Sequence, residues 1–330
     1  MSEKDRYIAL CNTEESIPLF GRPWWLDVVC GASKWDVLLV EDGNNILAAM
    51  PLYKPLSNVI SMPCYTQTMG PWINPRFEPQ AYGKQITHRQ ECLKKFVSRL
   101  EGYSSFLQNF HSGITDWLPF YWGGYTQTTR YSYVLEGINN QEILWDNLSQ
   151  NIQRNIRSAR DKKGIFCKKG IPVDDFLKVN AQSFGRQGLA VKGDEQLLKR
   201  LIECCRLRNQ GELWGAYDPA GQLHAAIFVV WQKSSAYYLA GGEDPALRSS
   251  GAGSLLMWEA ICSVSRFTDR FDFEGSMLEG VEHYFRKFGT IQTPYFTITR
   301  GKMCLLYRAW IKLGKFVTKQ HDERDDNRKI

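Results

Sequence analysis

Two stretches far apart in the chain repeat one layout, and that echo constrains the fold more than any other feature. Trp35-Asp-Val-Leu-Leu-Val-Glu-Asp-Gly-Asn-Asn-Ile-Leu-Ala-Ala-Met50 and Leu213-Trp-Gly-Ala-Tyr-Asp-Pro-Ala-Gly-Gln-Leu-His-Ala-Ala-Ile-Phe228 each read as strand, turn, strand. Both turns carry Asp and Gly, the residues that supply the backbone a hairpin needs, and both second strands step through a leucine to paired alanines. An apolar or aromatic helical stretch precedes each hairpin. The echo predicts two tandem α/β domains of similar plan, for which 330 residues suffice.

Composition narrows the class without naming it. With 43% hydrophobic and 23% charged residues, the chain is neither disordered, collagenous nor a coiled-coil rod. Its net charge of +6 suits anionic ligands such as nucleotides and does not demand nucleic acid. No run of about 18 apolar residues occurs, so no membrane-spanning helix is expected. The opening Met1-Ser-Glu-Lys-Asp5 lacks the layout of a secretory signal, and a cytoplasmic location is the expectation. Nine cysteines without a C-x-x-C pair read as reduced thiols.

Leu144, Leu148, Ile152, Ile156 and Ala159 recur at helical spacing and predict one helix over about 141–162. Arg154, Arg157 and Arg160 lie on another side of it, with Lys162, Lys163, Lys168 and Lys169 close behind. A short strand, two helices and a three-strand meander follow. The next helix opens with Arg248-Ser-Ser-Gly251-Ala-Gly253. Glycines after a strand and at a helix start let an anion approach first-turn N–H groups that have no partner inside the helix. Arg248 adds charge, so this segment is expected to cradle a phosphate. In the first half, Gln67-Thr-Met-Gly70-Pro-Trp72 begins the same way but ends on an indole, which obstructs such an approach and marks a degenerate copy. No G-x-S-x-G, H-E-x-x-H or full P-loop is present, and no metal is expected.

The segment Arg248-x-x-Gly251-x-Gly253 and the order of elements around it resemble the GNAT acyltransferase superfamily over about residues 141–300. The phrases Asn151-Ile-Gln-Arg-Asn-Ile-Arg-Ser-Ala-Arg-Asp-Lys-Lys-Gly164, Ser183-Phe-Gly-Arg-Gln-Gly188 and Phe271-Asp-Phe-Glu-Gly-Ser276 look like its FemAB-like branch. The resemblance implies two tandem GNAT-like α/β domains, each a mixed, mainly antiparallel sheet flanked by helices. They are expected as a degenerate domain over 1–140, an acyltransferase domain over 141–300, and a C-terminal helix with a charged tail over 301–330.

That family transfers an acyl group to an amine. The resemblance implies acyl-CoA as co-substrate, held by Ala240, Gly241, Arg248, Gly251, Ala252, Gly253 and Ser254. Its Fem members use aminoacyl-tRNA to build cell-envelope precursors, so tRNA is the alternative donor, although no long helical arm is visible here. A binding protein that keeps the fold without the chemistry is the remaining alternative. The family's general-acid tyrosine, four residues before the glycine closing the last helix, is replaced by Phe285. Tyr284 is adjacent, but one helical residue is a turn of about 100°, so it is expected to face elsewhere.

A base must take a proton from the attacking ammonium, and a partly buried carboxylate does this near neutral pH. Glu274 leads, at the end of the expected strand 270–274. Asp272 shares its face if that strand is regular, and Glu243 is the runner-up. For a small-molecule, sugar or peptide acceptor, Trp25, Tyr121, Trp122 and Tyr125 offer aromatic walls and Arg130 an anion partner. The phrase around residue 186 adds Arg186 and Gln187.

Overall fold

A computed structural model of the chain describes residues 1–186, 194–275 and 277–301. Gln187, the side chain of Arg186, Ser276 and the expected C-terminal helix and tail lie outside the described residues. The first half runs α1 (Glu3–Cys11), α2 (Pro23–Cys30), β1 (Trp35–Asp42), β2 (Asn45–Leu56), β3 (Val59–Ser61), β4 (Trp72–Ile73), α3 (Tyr82–Arg99), β5 (Ser105–Asn109), α4 (Leu118–Trp122) and β6 (Thr126–Glu136). The second runs α5 (Gln141–Asn147), α6 (Gln150–Arg157), β7 (Phe166–Lys169), α7 (Val173–Arg186), α8 (Glu195–Leu207), β8 (Gly211–Tyr217), β9 (Leu223–Gln232), β10 (Ser235–Glu243), α9 (Ala252–Val264), β11 (Arg270–Asp272), α10 (Glu279–Arg286) and β12 (Ile291–Arg300).

The echo is a pair of equivalent hairpins. β1 pairs antiparallel with β2 and β8 with β9. In both, the register slips just before the turn aspartate, between Val40 and Glu41 and between Ala216 and Tyr217. A third antiparallel strand, a crossover helix and a parallel strand follow in each half, as β3, α3 and β5 and as β10, α9 and β11. The last strands are exchanged between the halves. β6 pairs with β11 and β12 with β5, while β6 and β12 pair with each other at the centre. One sheet results, in the order β1-β2-β3-β5-β12-β6-β11-β10-β9-β8-β7, with β4 beside β2. Each half's sheet edge is thus closed by the other half, which removes exposed ladder groups from the seam.

Apolar side chains also join the halves. Tyr7, Phe20, Trp25 and Leu26 of the first half share one buried cluster with Phe176, Leu198, Phe228 and Tyr237 of the second. A second cluster gathers α5, α6, α9 and α10 on the opposite face of the second half, and a third lies under α3 and α4.

The helix expected over 141–162 is broken. Leu148 is extended, with ψ 139°, and Ser149 caps α6 by accepting the Ile152 N–H. The apolar rhythm continues across the break because both short helices bury the same face, with Leu144, Leu148, Ile152 and Ile156 in one cluster. A π-turn over Ser158–Lys162 closes α6. β11 is also shorter than expected. It stops at Asp272, and Glu274 has a left-handed backbone with φ 58°.

Candidate active site

Near the centre of the sheet, β10 and β11 share only a short pairing. β10 and β11 are in register only at Ala236 with Phe271 and at Tyr237 with Asp272, while β10 continues to Glu243 on its other neighbour, β9. β10 also carries a bulge between Tyr238 and Ala240. Tyr238 packs on the α9 side, whereas Leu239 and Ala240 both pack on the opposite side. The bulge therefore resets the strand's alternation and brings Tyr238 and Glu243 to the α9 face.

On that face lies the glycine-bearing turn. Arg248–Ser250 form one 3-10 turn, Gly251 is left-handed with φ 78°, and α9 starts at Ala252. A Cβ on Gly251 would lie 2.8 Å from the Asn155 carbonyl oxygen, so only glycine lets α6 pack against this turn. A Cβ on Gly253 would lie 1.7 Å from Glu243 Oε1. The Glu243 carboxylate is thus laid over the first turn of α9, and its Oε2 accepts from Arg248 Nε at 3.1 Å. Tyr284 reaches the Ser254 hydroxyl here, and burial with the nearby Glu243 charge pushes its phenol well above the usual range. Lys163 Nζ donates to the Ser249 carbonyl, which ties the basic π-turn to the same loop.

The opposite face holds a small polar pocket at the seam, lined by Gln67, Thr68, His111, Ser112, Ser132, Tyr237, Asp272 and Tyr295. Asp272 is 5% exposed. Its Oδ1 accepts from the Ser132 hydroxyl and, at 2.7 Å, from the Glu274 backbone N–H. Arg270 Nη2 lies 3.9 Å from Oδ2. Burial raises the Asp272 carboxyl above its usual range, against the Ser132 hydrogen bond and the Arg270 charge. Glu274 stands on the left-handed turn that follows, and its charge acts on Tyr237 and Tyr295. Gly275 presses that turn against β6, since a Cβ there would lie 2.0 Å from the Tyr131 carbonyl oxygen. The Arg130 guanidinium borders the same group through Tyr295.

His111 Nδ1 accepts the Gly113 N–H at 3.1 Å, which leaves the proton of the neutral ring on Nε2. Burial, with the Arg270 charge, depresses its pKa from 6.5 to about 4. A partly buried histidine that stays neutral while the unfolded chain protonates contributes stability that is complete above about pH 6.5 and lost as the pH falls toward 4. His111→Gln is accordingly expected to flatten the fall in melting temperature between those two pH values. An unchanged slope would mean that the ring takes up its proton in the folded state.

A family model described as "Acetyltransferase (GNAT) domain" matches residues 147–286, the span that contains the glycine-bearing turn and both carboxylates of the pocket. Residues 147–286 are thus similar to a GNAT domain. The crystal structure of FemX superposes with a TM-score of 0.66 at 10% identity, covering 90% of this chain and 96% of that one. A conserved protein of unknown function from Bacteroides thetaiotaomicron gives 0.51 at 11% identity, over 89% and 97% of the two chains. The C-terminal DUF2156 domain of a candidate lysylphosphatidylglycerol synthetase from Agrobacterium fabrum gives 0.52 at 11%, over 95% of each. No curated protein matches the sequence. At such identities the likeness concerns the fold alone.

Within this frame the fold gathers some expected residues and scatters others. Arg248, Gly251, Ala252, Gly253 and Ser254 lie together on the glycine-bearing turn, with Ala240 and Gly241 on β10. Asp272 and Glu274 do meet, although through a tight turn instead of a shared strand face. Glu243 does not join them, because the bulge carries it to the glycine-bearing turn. Tyr284 does not face away as expected. Phe285 fills the core between Tyr238 and Phe273, and this turns Tyr284 toward Ser254.

The aromatic cleft does not form. Trp25 is fully buried, with its Nε1 donating to Thr66 Oγ1 at 3.0 Å, and Tyr125 is buried against Phe106 and Phe120. Tyr121 and Trp122 are exposed on α4, with Lys94 5.4 Å above the Trp122 ring. The pocket residues that sequence reasoning missed are Ser132, His111, Tyr237 and Tyr295. The one available signal was the degenerate glycine segment, whose Gln67 and Thr68 line the pocket.

The Gly253 and Ser254 N–H groups and Arg248 suit a CoA diphosphate, but the Ala252 N–H already donates to Ser250 Oγ at 3.2 Å and the Glu243 carboxylate lies over Gly253. Among the described residues no helix is long and apolar enough to cross a membrane, and no group of three or more metal-ligating side chains occurs.

Proposed function

We propose that this protein is an N-acyltransferase that moves an acyl group from acyl-CoA to the amine of a small-molecule, sugar or peptide acceptor in the cytoplasm. One observation carries this reading. β10 and β11 pair only at Ala236 with Phe271 and at Tyr237 with Asp272, with the glycine-bearing turn at the start of α9 on one face of the sheet and the pocket that holds Asp272 on the other. Arg248 and the backbone of 251–254 would hold the donor diphosphate, and the donor supplies an activated thioester. Asp272 and Glu274 attract the acceptor ammonium, and Glu274 takes its proton, which leaves a neutral amine able to attack the thioester carbonyl. The C–N bond forms as the C–S bond breaks, and the sulfur leaves as a thiolate that takes up a proton from solvent. Arg130, at the border of the pocket, suits a carboxylate or phosphate elsewhere on the acceptor. The buried Tyr284 retains its proton at neutral pH beside Ser254.

A second reading, transfer from aminoacyl-tRNA to a cell-envelope precursor, is favoured by the Glu243 carboxylate in the cradle and by exposed Arg154, Arg157, Lys162 and Lys163 nearby. Thermal shift with CoA, acetyl-CoA and longer acyl-CoAs separates the two. Ligand at about 100 times its Kd adds about 2.7 kcal/mol, so binding is expected as a clear rise in melting temperature. A rise with acyl-CoA supports the first reading. No rise with any CoA, together with salt-sensitive RNA binding, supports the second. Neither response would make the protein a non-catalytic binder.

A further inference from the structure

Glutamate rarely adopts a left-handed backbone, because its Cβ crowds the following carbonyl. Glu274 holds that conformation at the mouth of the pocket, followed by a second left-handed residue, Gly275. Its backbone N–H is satisfied by Asp272 Oδ1 at 2.7 Å. Asp272 in turn receives the only proton that the Ser132 hydroxyl can donate, and the Ser132 oxygen accepts from Gln67 Nε2 at 3.1 Å. Gln67 belongs to the degenerate glycine segment of the first half. Its carbonyl accepts from Asn109 Nδ2 at 2.8 Å, Met69 N–H donates to the Asn109 carbonyl at 2.7 Å, and Asn109 Oδ1 accepts from Thr297 at 2.8 Å. Gln67 also bonds the Asp272 carboxylate itself, so the first half reaches that carboxylate both directly and through Ser132.

We propose that Gln67, Ser132 and Asp272 are positioning residues, a hydrogen-bond relay through which the first half of the chain holds the Glu274 turn in its reactive geometry. This inference rests on the assignment of Glu274 as the base and extends it. The glycine segment of the first half has lost its phosphate site and serves the other half's carboxylate instead. It also gives the exchange of β6 a chemical consequence, because Ser132 reaches Asp272 only when β6 lies beside β11.

The relay is read at the Glu274 amide. In the full-length protein labelled with 15N-glutamate, and with that resonance identified through Glu274→Gln, the amide shift is expected to titrate with Asp272, whose carboxylate it touches. The charged and titratable groups around Asp272 are Arg270 and Glu274 on its own segment, Tyr237 from β10, Tyr295 from β12 with Arg130 of β6 against it, and His111 after β5. Ser132→Ala removes a donor to the carboxylate and is expected to raise the titration midpoint by about half a unit or more. Gln67→Ala should raise it less, and Ser132→Thr, which keeps the hydroxyl, should restore it. A merely structural serine would change the melting temperature and leave the midpoint alone.

An amide that does not titrate, or a midpoint unmoved in both Ser132→Ala and Gln67→Ala, overturns the relay. If Ser132→Ala does not fold, Gln67→Ala carries the test alone. Thermal shift with CoA on the same samples separates this from the donor assignment. A protein that binds CoA with an unmoved midpoint loses only the relay. One that shows the midpoint shift without binding CoA loses only the donor.

Discussion

Glu274→Gln is expected to slow amine acylation by about 10²- to 10⁴-fold while leaving donor binding unchanged, the range associated with losing a positioned general base. Glutamine keeps the size of the side chain and the backbone N–H that Asp272 holds at 2.7 Å, so the left-handed turn should persist. What disappears is the carboxylate whose charge Tyr237 and Tyr295 both sense. The wild-type rate should climb with pH as the base loses its proton, whereas the variant should lack that climb. Asp272→Asn provides the contrast, because Asp272 touches the Glu274 backbone and is nearly sealed from solvent. It should impair the reaction by displacing the turn, and so alter the pH profile without abolishing its rise. Equal turnover in Glu274→Gln and wild type across pH would remove Glu274 from the chemistry.

The parts of this protein legible in its sequence are those that depend on neighbours close along the chain. The two hairpins announce themselves through turn residues and alternating apolar runs, and the turn into α9 through Gly251 and Gly253, whose hydrogens face a carbonyl and a carboxylate that a Cβ would strike. The pocket depends on distant pairings. Ser132 meets Asp272 across 140 residues and Gln67 meets Ser132 across 65, through a strand exchange that no local pattern encodes. One bulged residue sent Glu243 to the opposite face from the one a regular strand would give it. Tryptophan and tyrosine misled for a related reason. The same ring that lines a sugar cleft also fills a core, and only the packing of Trp25 beneath Phe20 and Thr66 decides which.

Glu243 yields the other large expectation, an increase in affinity. In the wild type a carboxylate lies over the first turn of α9 and neutralises Arg248, so a diphosphate entering the cradle must displace an anion that is already seated. Glu243→Gln removes that charge, and Glu243→Ala also clears the space. Each returns the Arg248 guanidinium and the helix N-terminus to the ligand, and binding of CoA or inorganic pyrophosphate is expected to tighten about tenfold or more, equivalent to about 1.4 kcal/mol. The free protein should lose little. A carboxylate at a helix N-terminus contributes about 0.3–1 kcal/mol, and a half-exposed ion pair adds less than about 1 kcal/mol. The combination to measure by calorimetry and thermal shift is therefore a slightly lower melting temperature without ligand and a larger rise with it. Binding weakened in both variants would mean that Glu243 supports the donor site, for instance by holding Arg248 in place. Neither wild type nor variants binding any diphosphate would mean that this turn is not a diphosphate site, and the donor would then have to be recognised without one.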